Sequence, residues 1–218
     1  MRIWLTIALL ILAPPLAAHE QATPEAEVAP EPAPQEDEPG PEIAVPALHW
    51  DEQRPGMAAP GDPAWGVALM TAIAAEDEML ETVPADIDAW CPAYAAAGTD
   101  QRAAFWGGLI SVLAWYESTH NPRAVGGGGR WFGLVQIAPA TARHRGCAVG
   151  TGAALQEAEA NLRCGVRIMA QNVVRDGVVS RDLRGVAAEW GPFYSEPRRE
   201  AMRDWVSSQS YCTIAEAD

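Results

Sequence analysis

A chain of 218 residues, 49% hydrophobic and 20% charged, is long enough for one domain with a sizeable core, with or without an appendage. A formal net charge of −14 argues against a nucleic-acid binder, which needs a clustered basic surface to neutralise phosphates. All 15 basic residues are arginine, so a lysine Schiff base and a lysine-containing P-loop are both excluded.

Arg2 stands before an apolar run from Ile3 to Ala13, which is followed by Pro14, Pro15, Leu16, Ala17 and Ala18. One positive charge, a short apolar stretch and small residues at its end read as a secretory signal peptide over residues 1–18. The run is shorter than the about 20 apolar residues that span a bilayer, so no stable membrane insertion is expected after cleavage. Export to the periplasm or the medium is the expected localisation. Residues 19–62 then carry eleven acidic residues, nine prolines and one arginine, Arg54. Such a stretch has little to bury and repels itself, and it reads as a disordered acidic, proline-rich linker. The remainder, residues 63–218, holds eighteen acids against thirteen arginines; the extreme acidity belongs mostly to the linker.

From residue 63 onward the apolar spacing is helical. Asp62 before Pro63 makes a capped helix start, and Leu69, Met70, Ile73, Met79 and Leu80 continue it. A second helix is expected to hold Ile87, Trp90, Cys91 and Tyr94. Thr99 is expected to cap a third, with Phe105, Trp106, Leu109, Ile110, Leu113 and Tyr116 on its apolar positions. A loop of four consecutive glycines, Gly126 to Gly129, precedes a short strand or extended hairpin over Trp131–Ile137. Pro139 opens a short helix with Thr141 and Ala142. Leu155, Ala158, Leu162, Val166 and Met169 keep a helical period through Val173, Val186 and Trp190 mark another helix, and Met202, Trp205 and Val206 the last. The fold class is mainly α, a single domain with a short extended segment.

Stepping back from Glu117 by three and four residues meets Leu113, Ile110, Leu109 and Trp106, which puts this glutamate on the apolar stripe of its helix. Burial there raises a carboxyl pKa, and the negative end of the helix dipole pushes the same way. A glutamate protonated near neutral pH is suited to general-acid catalysis; a glutamate turned to water at a frayed helix end is the alternative.

Glu117-Ser118-Thr119-His120-Asn121-Pro122-Arg123-Ala124, followed by Gly133-Leu134-Val135-Gln136-Ile137-Ala138-Pro139-Ala140-Thr141-Ala142, resembles the catalytic domain of soluble lytic transglycosylases, which have a lysozyme-like fold. A Glu-Ser pair, an Asn-Pro-x-Ala stretch and a Gly-Leu-x-Gln-Ile-x-Pro-x-Thr-Ala stretch occur there in this order. Asn161-Leu162 is similar to a third element on a later helix. The resemblance covers about Phe105 to Met202. It implies an exported enzyme acting on peptidoglycan glycan strands at β-1,4 bonds between N-acetylmuramic acid (MurNAc) and N-acetylglucosamine (GlcNAc), with formation of 1,6-anhydro-MurNAc. Glu117 is then the general acid and base, and Ser118, Gly133, Gln136, Asn161, Trp190 and Tyr194 are the expected substrate-binding residues. No cofactor is implied. A hydrolytic muramidase, or a non-catalytic glycan-binding module on the same fold, is the alternative function.

Two departures from the family pattern stand out. Val135 and Ala138 occupy positions where methionine is common, and Ala187-Ala188-Glu189-Trp190-Gly191-Pro192 replaces an Ala-Tyr-Asn-Ala-Gly element. The cleft tyrosine is therefore missing or displaced, with Trp190 or Tyr194 as candidates to line the cleft. Glu189 is expected at a solvated helix position rather than as a second carboxylate. No metal site is expected, because the histidines and cysteines lack ligand spacing; His120 is placed on a polar loop. In an oxidising compartment the four cysteines are expected to form disulfides. Cys147 with Cys164 and Cys91 with Cys212 are the expected pairs, although four cysteines allow three pairings.

Overall fold

Every residue from Ala103 to Ala114 is buried, and a helix apolar around its whole circumference belongs at the centre of a domain. The computed structural model describes residues 44–52, 54–57 and 61–214, all within one compact unit, Pro41–Asp218. The expected signal peptide and residues 19–43 of the expected linker lie outside the described residues. Seven α-helices occur among those described: α1 (Pro63–Ala74), α2 (Asp77–Glu81), α3 (Thr99–Ser118), α4 (Pro139–His144), α5 (Gly152–Leu155), α6 (Ala158–Asp176) and α7 (Glu196–Ser207). Helix α3 is the central one. Helices α1 and α7 pack against it, and α6 lies along α1. None of the helices among the described residues is long and apolar enough to cross a membrane.

Two small antiparallel ribbons complete the fold. Strand β1 (Val125–Gly126) pairs with β2 (Trp131–Phe132), and β3 (Ser180–Arg181) pairs with β4 (Arg184–Gly185). The expected extended segment over Trp131–Ile137 is thus a two-residue strand closed by a single bridge from Phe132 to Ile137. The core is rich in aromatic rings, and their polar atoms are matched to partners. Trp106 Nε1 donates to Tyr94 Oη at 2.9 Å, and that hydroxyl donates to the Thr82 carbonyl at 3.3 Å. A buried indole or phenol needs such a partner.

Several local expectations are corrected. Asp62 does cap α1, accepting from the Ala64 N–H, but Gly98 precedes α3 and Thr99 is its first residue rather than its cap. The second expected helix is two separate 3-10 turns, Ile87–Ala89 and Tyr94–Ala96; Pro92 between them lacks an N–H to continue a helix. The long helical period ending at Val173 is split into α5 and α6, and Val186–Ala188 is a 3-10 turn. The two disulfides join Cys91 to Cys212 and Cys147 to Cys164, as expected.

The linker boundary at residue 62 is also corrected, because the folded unit takes in Leu48, His49 and Trp50, which are 1–2% exposed. These three residues form a strap across α3. The His49 N–H donates to Ser111 Oγ at 2.9 Å, and His49 Nδ1 lies 3.4 Å from His120 Nε2. Trp50 meets the rings of Trp65 and His120 edge-on, both at 5.9 Å. His120 is fully buried, with Nε2 3.0 Å from the Ser111 carbonyl, and so does not sit on a polar loop. Three core residues in a proline- and acid-rich stretch vanish when composition is averaged over the stretch.

The strap makes stability pH-dependent. Burial, with Arg54 and His120 adding to it, lowers the His49 pKa to about 3, and burial lowers that of His120 as well. A histidine whose folded pKa lies below its unfolded value of about 6.5 contributes stability that is complete above that value. This stability is lost as pH falls toward the folded pKa. The His49 contribution to that loss between pH 7.5 and pH 5 is about 2 kcal/mol, read by urea denaturation with the disulfides intact as the difference between the wild-type and His49→Phe slopes, since Glu117 titrates in the opposite sense in the same window. An unchanged slope in His49→Phe would mean that the strap is not its source.

Candidate active site

Helix α3 delivers Glu117 to the surface at its penultimate position. Thr119 and His120 both have positive φ, 51° and 58°, and turn the chain sharply off the helix, with the Thr119 N–H closing onto the Trp115 carbonyl at 2.9 Å. The chain then runs through β1 and β2 and returns as the loop 133–137. Gly133 has φ of 81°, and a Cβ there would collide with the Leu155 carbonyl and the Asn161 side chain. Only glycine fits.

Three side chains from three parts of the chain hold this loop by its backbone. Asn161, from α6, is fully buried; its Nδ2 donates to the Phe132 and Leu155 carbonyls, each at 2.9 Å, and its Oδ1 accepts from the Val135 N–H at 2.9 Å. Ser118 Oγ lies 2.8 Å from the Leu134 carbonyl and 3.0 Å from that of Ala114. Trp190 Nε1 donates to the Val135 carbonyl at 2.9 Å. Ser118, Gly133 and Asn161, expected as substrate-binding residues, are not among the residues that line the cleft. Their polar groups or space are used within the protein to position the loop.

The cleft in front of the loop has a volume of about 510 Å³ and brings together Glu117, Gln136, Trp190 and Tyr194. Gln136 has a left-handed backbone, φ 47°, and its Nε2 donates to the Gly133 and Ala124 carbonyls at 2.8 and 3.3 Å. Its amide oxygen remains as the group free to accept from a ligand. Trp190 is buried, whereas Tyr194 is 54% exposed. Six further residues line the same cleft: Tyr116, Trp131, Glu189, Gly191, Pro192 and Arg198. Trp131 is a 41% exposed indole with the Arg130 guanidinium 4.7 Å from its ring centre. Its place beside four glycines was the available signal, since a large aromatic at a hairpin end has little core to enter. Arg198 gave none, because it arrives on α7 from 81 residues away in the chain. Glu189, expected at a solvated position, lines the cleft and pairs with Arg145 at 3.6 Å. Among the described residues no group of three His, Cys, Asp or Glu side chains could hold a metal ion.

Glu117 is the perturbed group of the cleft. Burial pushes its carboxyl up to about 7, and the Arg198 guanidinium pulls in the opposite direction. Near neutral pH the residue can both give and take a proton, as a single general acid and base must.

Residues 95–180 match the family model described as the Transglycosylase SLT domain. That match spans α3, the loop and α6 and ends before Glu189, Trp190, Tyr194 and Arg198. No curated protein matches the chain. Among solved structures, a glutamate-to-glutamine mutant of Bd0314 DslA and its wild-type form 2 are each similar at a TM-score of 0.67 and 23% identity, covering 78% of this chain and 100% of that one. A second glutamate-to-glutamine mutant of DslA gives 0.66 over 79% of this chain. This likeness establishes the fold, a lysozyme-like mainly α domain.

Titration of the Glu117 carboxyl carbon by NMR should show a midpoint near 7. In Arg198→Ala the midpoint should move higher, because the one cation opposing the burial is gone. A midpoint near the ordinary glutamate value of about 4.3 would place the carboxyl in water and remove the basis for an acid at this position.

Proposed function

We propose that this chain, whose residues 95–180 match the family model of the transglycosylase SLT domain, is an exported peptidoglycan lytic transglycosylase. Its bond is the β-1,4 linkage between MurNAc and GlcNAc, and Glu117 is its acid and base. The observation that carries this reading is a half-buried carboxyl, raised to about 7, at the end of the central helix and on the wall of an open cleft.

Protonated Glu117 gives its proton to the glycosidic oxygen, which leaves as the 4-hydroxyl of GlcNAc. Positive charge builds on C1 of the muramyl ring. The C6 hydroxyl of that same ring attacks C1, and the Glu117 carboxylate takes the proton from it. The 1,6-anhydro ring closes, Glu117 is again protonated, and no water is consumed. Because the nucleophile is already part of the substrate, attack is intramolecular and loses little entropy.

The other lining residues fit a glycan strand. Trp131 offers an exposed flat face of the kind that stacks on the apolar side of a sugar ring. The Gln136 amide oxygen and the Tyr194 hydroxyl can bond to sugar hydroxyls. Arg198 enters no ion pair among the described residues and lies where it can meet the carboxylates that peptidoglycan carries. The disulfides agree with an oxidising compartment.

Digestion of purified sacculi followed by mass analysis should yield chains ending in 1,6-anhydro-MurNAc. Glu117→Gln, which keeps shape and removes the proton, should cut that yield by roughly 10²–10⁴ while the circular dichroism spectrum stays the same. Since the acid form starts the reaction, kcat/KM should fall about tenfold per pH unit above about 7. Near wild-type turnover in Glu117→Gln would end the proposal, and a protein that binds sacculi without releasing any fragment would be a glycan-binding module.

A further inference from the structure

Two carboxyl side chains line the cleft, Glu117 and Glu189, and only Glu117 is used by the reaction above. Glu189 follows the 3-10 turn Val186–Ala188 and precedes Trp190, whose bond to the Val135 carbonyl holds this wall against the loop 133–137. The Glu189 carboxylate lies 3.6 Å from the Arg145 guanidinium, and both side chains are about four-fifths buried. Arg145 is itself fixed from α6: its carbonyl accepts from Arg167 Nε at 2.8 Å and Gln171 Nε2 at 3.1 Å, and its NH1 donates to Gln171 Oε1 at 3.4 Å. The cleft therefore holds an oriented, ion-paired carboxylate in addition to the burial-raised acid. Glycoside hydrolysis by water ordinarily uses two carboxyl groups, one to protonate the leaving oxygen and one to activate the water.

We propose that Glu189 is a second catalytic carboxylate, which activates a water molecule for attack on the same glycosidic bond, so that the cleft releases hydrolysed, reducing MurNAc ends beside anhydro ends. This rests on the reading of Glu117 given above. In the hydrolytic branch Glu117 again protonates the leaving oxygen and the C1–O4 bond breaks. Glu189 takes one proton from water, and the water oxygen bonds to C1. Glu117 is left ionised and Glu189 protonated, and one proton passes back between them through solvent. The two branches share the acid and differ in the nucleophile and in the carboxylate that takes its proton. Arg145 acts as a positioning residue, aiming the carboxylate and keeping it paired. Glu189 itself lies beyond the family match, which holds Glu117 and Arg145, on the wall that this chain builds from residues 186–198.

The test is the ratio of reducing to anhydro MurNAc ends, which differ in mass by one water, in digests of purified sacculi by the full-length protein, corrected for ends present without it. Both kinds of end are expected from the wild type. Glu189→Gln should lower the ratio at least tenfold. Glu189→Asp, which withdraws the carboxylate by one methylene, and Arg145→Gln, which removes its partner, should each lower it less. The two milder variants keep the test usable if the first one folds poorly. Anhydro ends alone from the wild type, or a ratio unaltered in Glu189→Gln and Glu189→Asp, would overturn the proposal and leave the transglycosylase reading standing. Release of neither kind of end would overturn both.

Discussion

The site depends on the three hydrogen bonds of Asn161. They tie the Phe132, Val135 and Leu155 backbones to α6, and everything on the near wall of the cleft is placed relative to them. A five-residue loop has too few residues to make a core of its own, and an open loop of this size would sample many conformations. Here its polar backbone groups are met inside the protein, by Asn161, Ser118 and Trp190, and its apolar residues Leu134, Val135 and Ile137 are buried. Loss of the Asn161 amide would leave buried donors and acceptors unmatched, which costs more than the bonds themselves contribute. The clamp also explains why Gly133 cannot carry a side chain: the volume a Cβ would need is occupied by the clamp.

Glu117 presents the opposite case, a polar group placed where it is not matched. Its helix is buried on every side from Ala103 to Ala114, so the carboxyl that follows emerges from the core onto a cleft wall lined by rings. Its charged form is disfavoured there, and Arg198 only partly offsets this. The native state therefore binds the Glu117 proton more tightly than the unfolded chain does. In the window from about 4.5 to about 7 the fold loses stability as pH rises. The raised carboxyl and the lost stability have the same origin. Such a trade is common where activity requires an unfavourable environment for a charge.

What was readable in the sequence followed from locality. The stripe through Trp106, Leu109, Leu113 and Glu117 is a property of a single helix, and the motif from Gly133 to Ala142 lies close to it in the chain, so the near wall could be located. The division of labour inside the motif could not. Ser118, Gly133 and Asn161 read as ligand contacts because they accompany Glu117 in the motifs, yet their partners are backbone groups that only the folded loop brings near. The far wall was legible only in part. Trp190 and Tyr194 were found, but Arg198 comes from a helix with no local sign of function. Glu189 looked solvated because its counter-ion, Arg145, lies 44 positions earlier. The strap residues Leu48–Trp50 were hidden for another reason: three residues that pack well are outweighed by an acidic, proline-rich neighbourhood in any compositional average.

The second disulfide connects these two walls. Cys147 follows α4, its N–H closes onto the Ala142 carbonyl at 2.9 Å, and its bond to Cys164 fastens this turn to α6. Arg145 lies two residues before that bond, and its carbonyl is held by α6 through Arg167 and Gln171. The helix that clamps the loop through Asn161 is thus the same helix that fixes the cation beside Glu189. A covalent tie across a short chain segment restricts the unfolded ensemble and so favours the folded turn. In an oxidising compartment, where the tie persists, α6 becomes the common reference for both sides of the cleft: Asn161 sets the loop beside Glu117, and the Cys164 end of the bridge sets the arginine that aims Glu189.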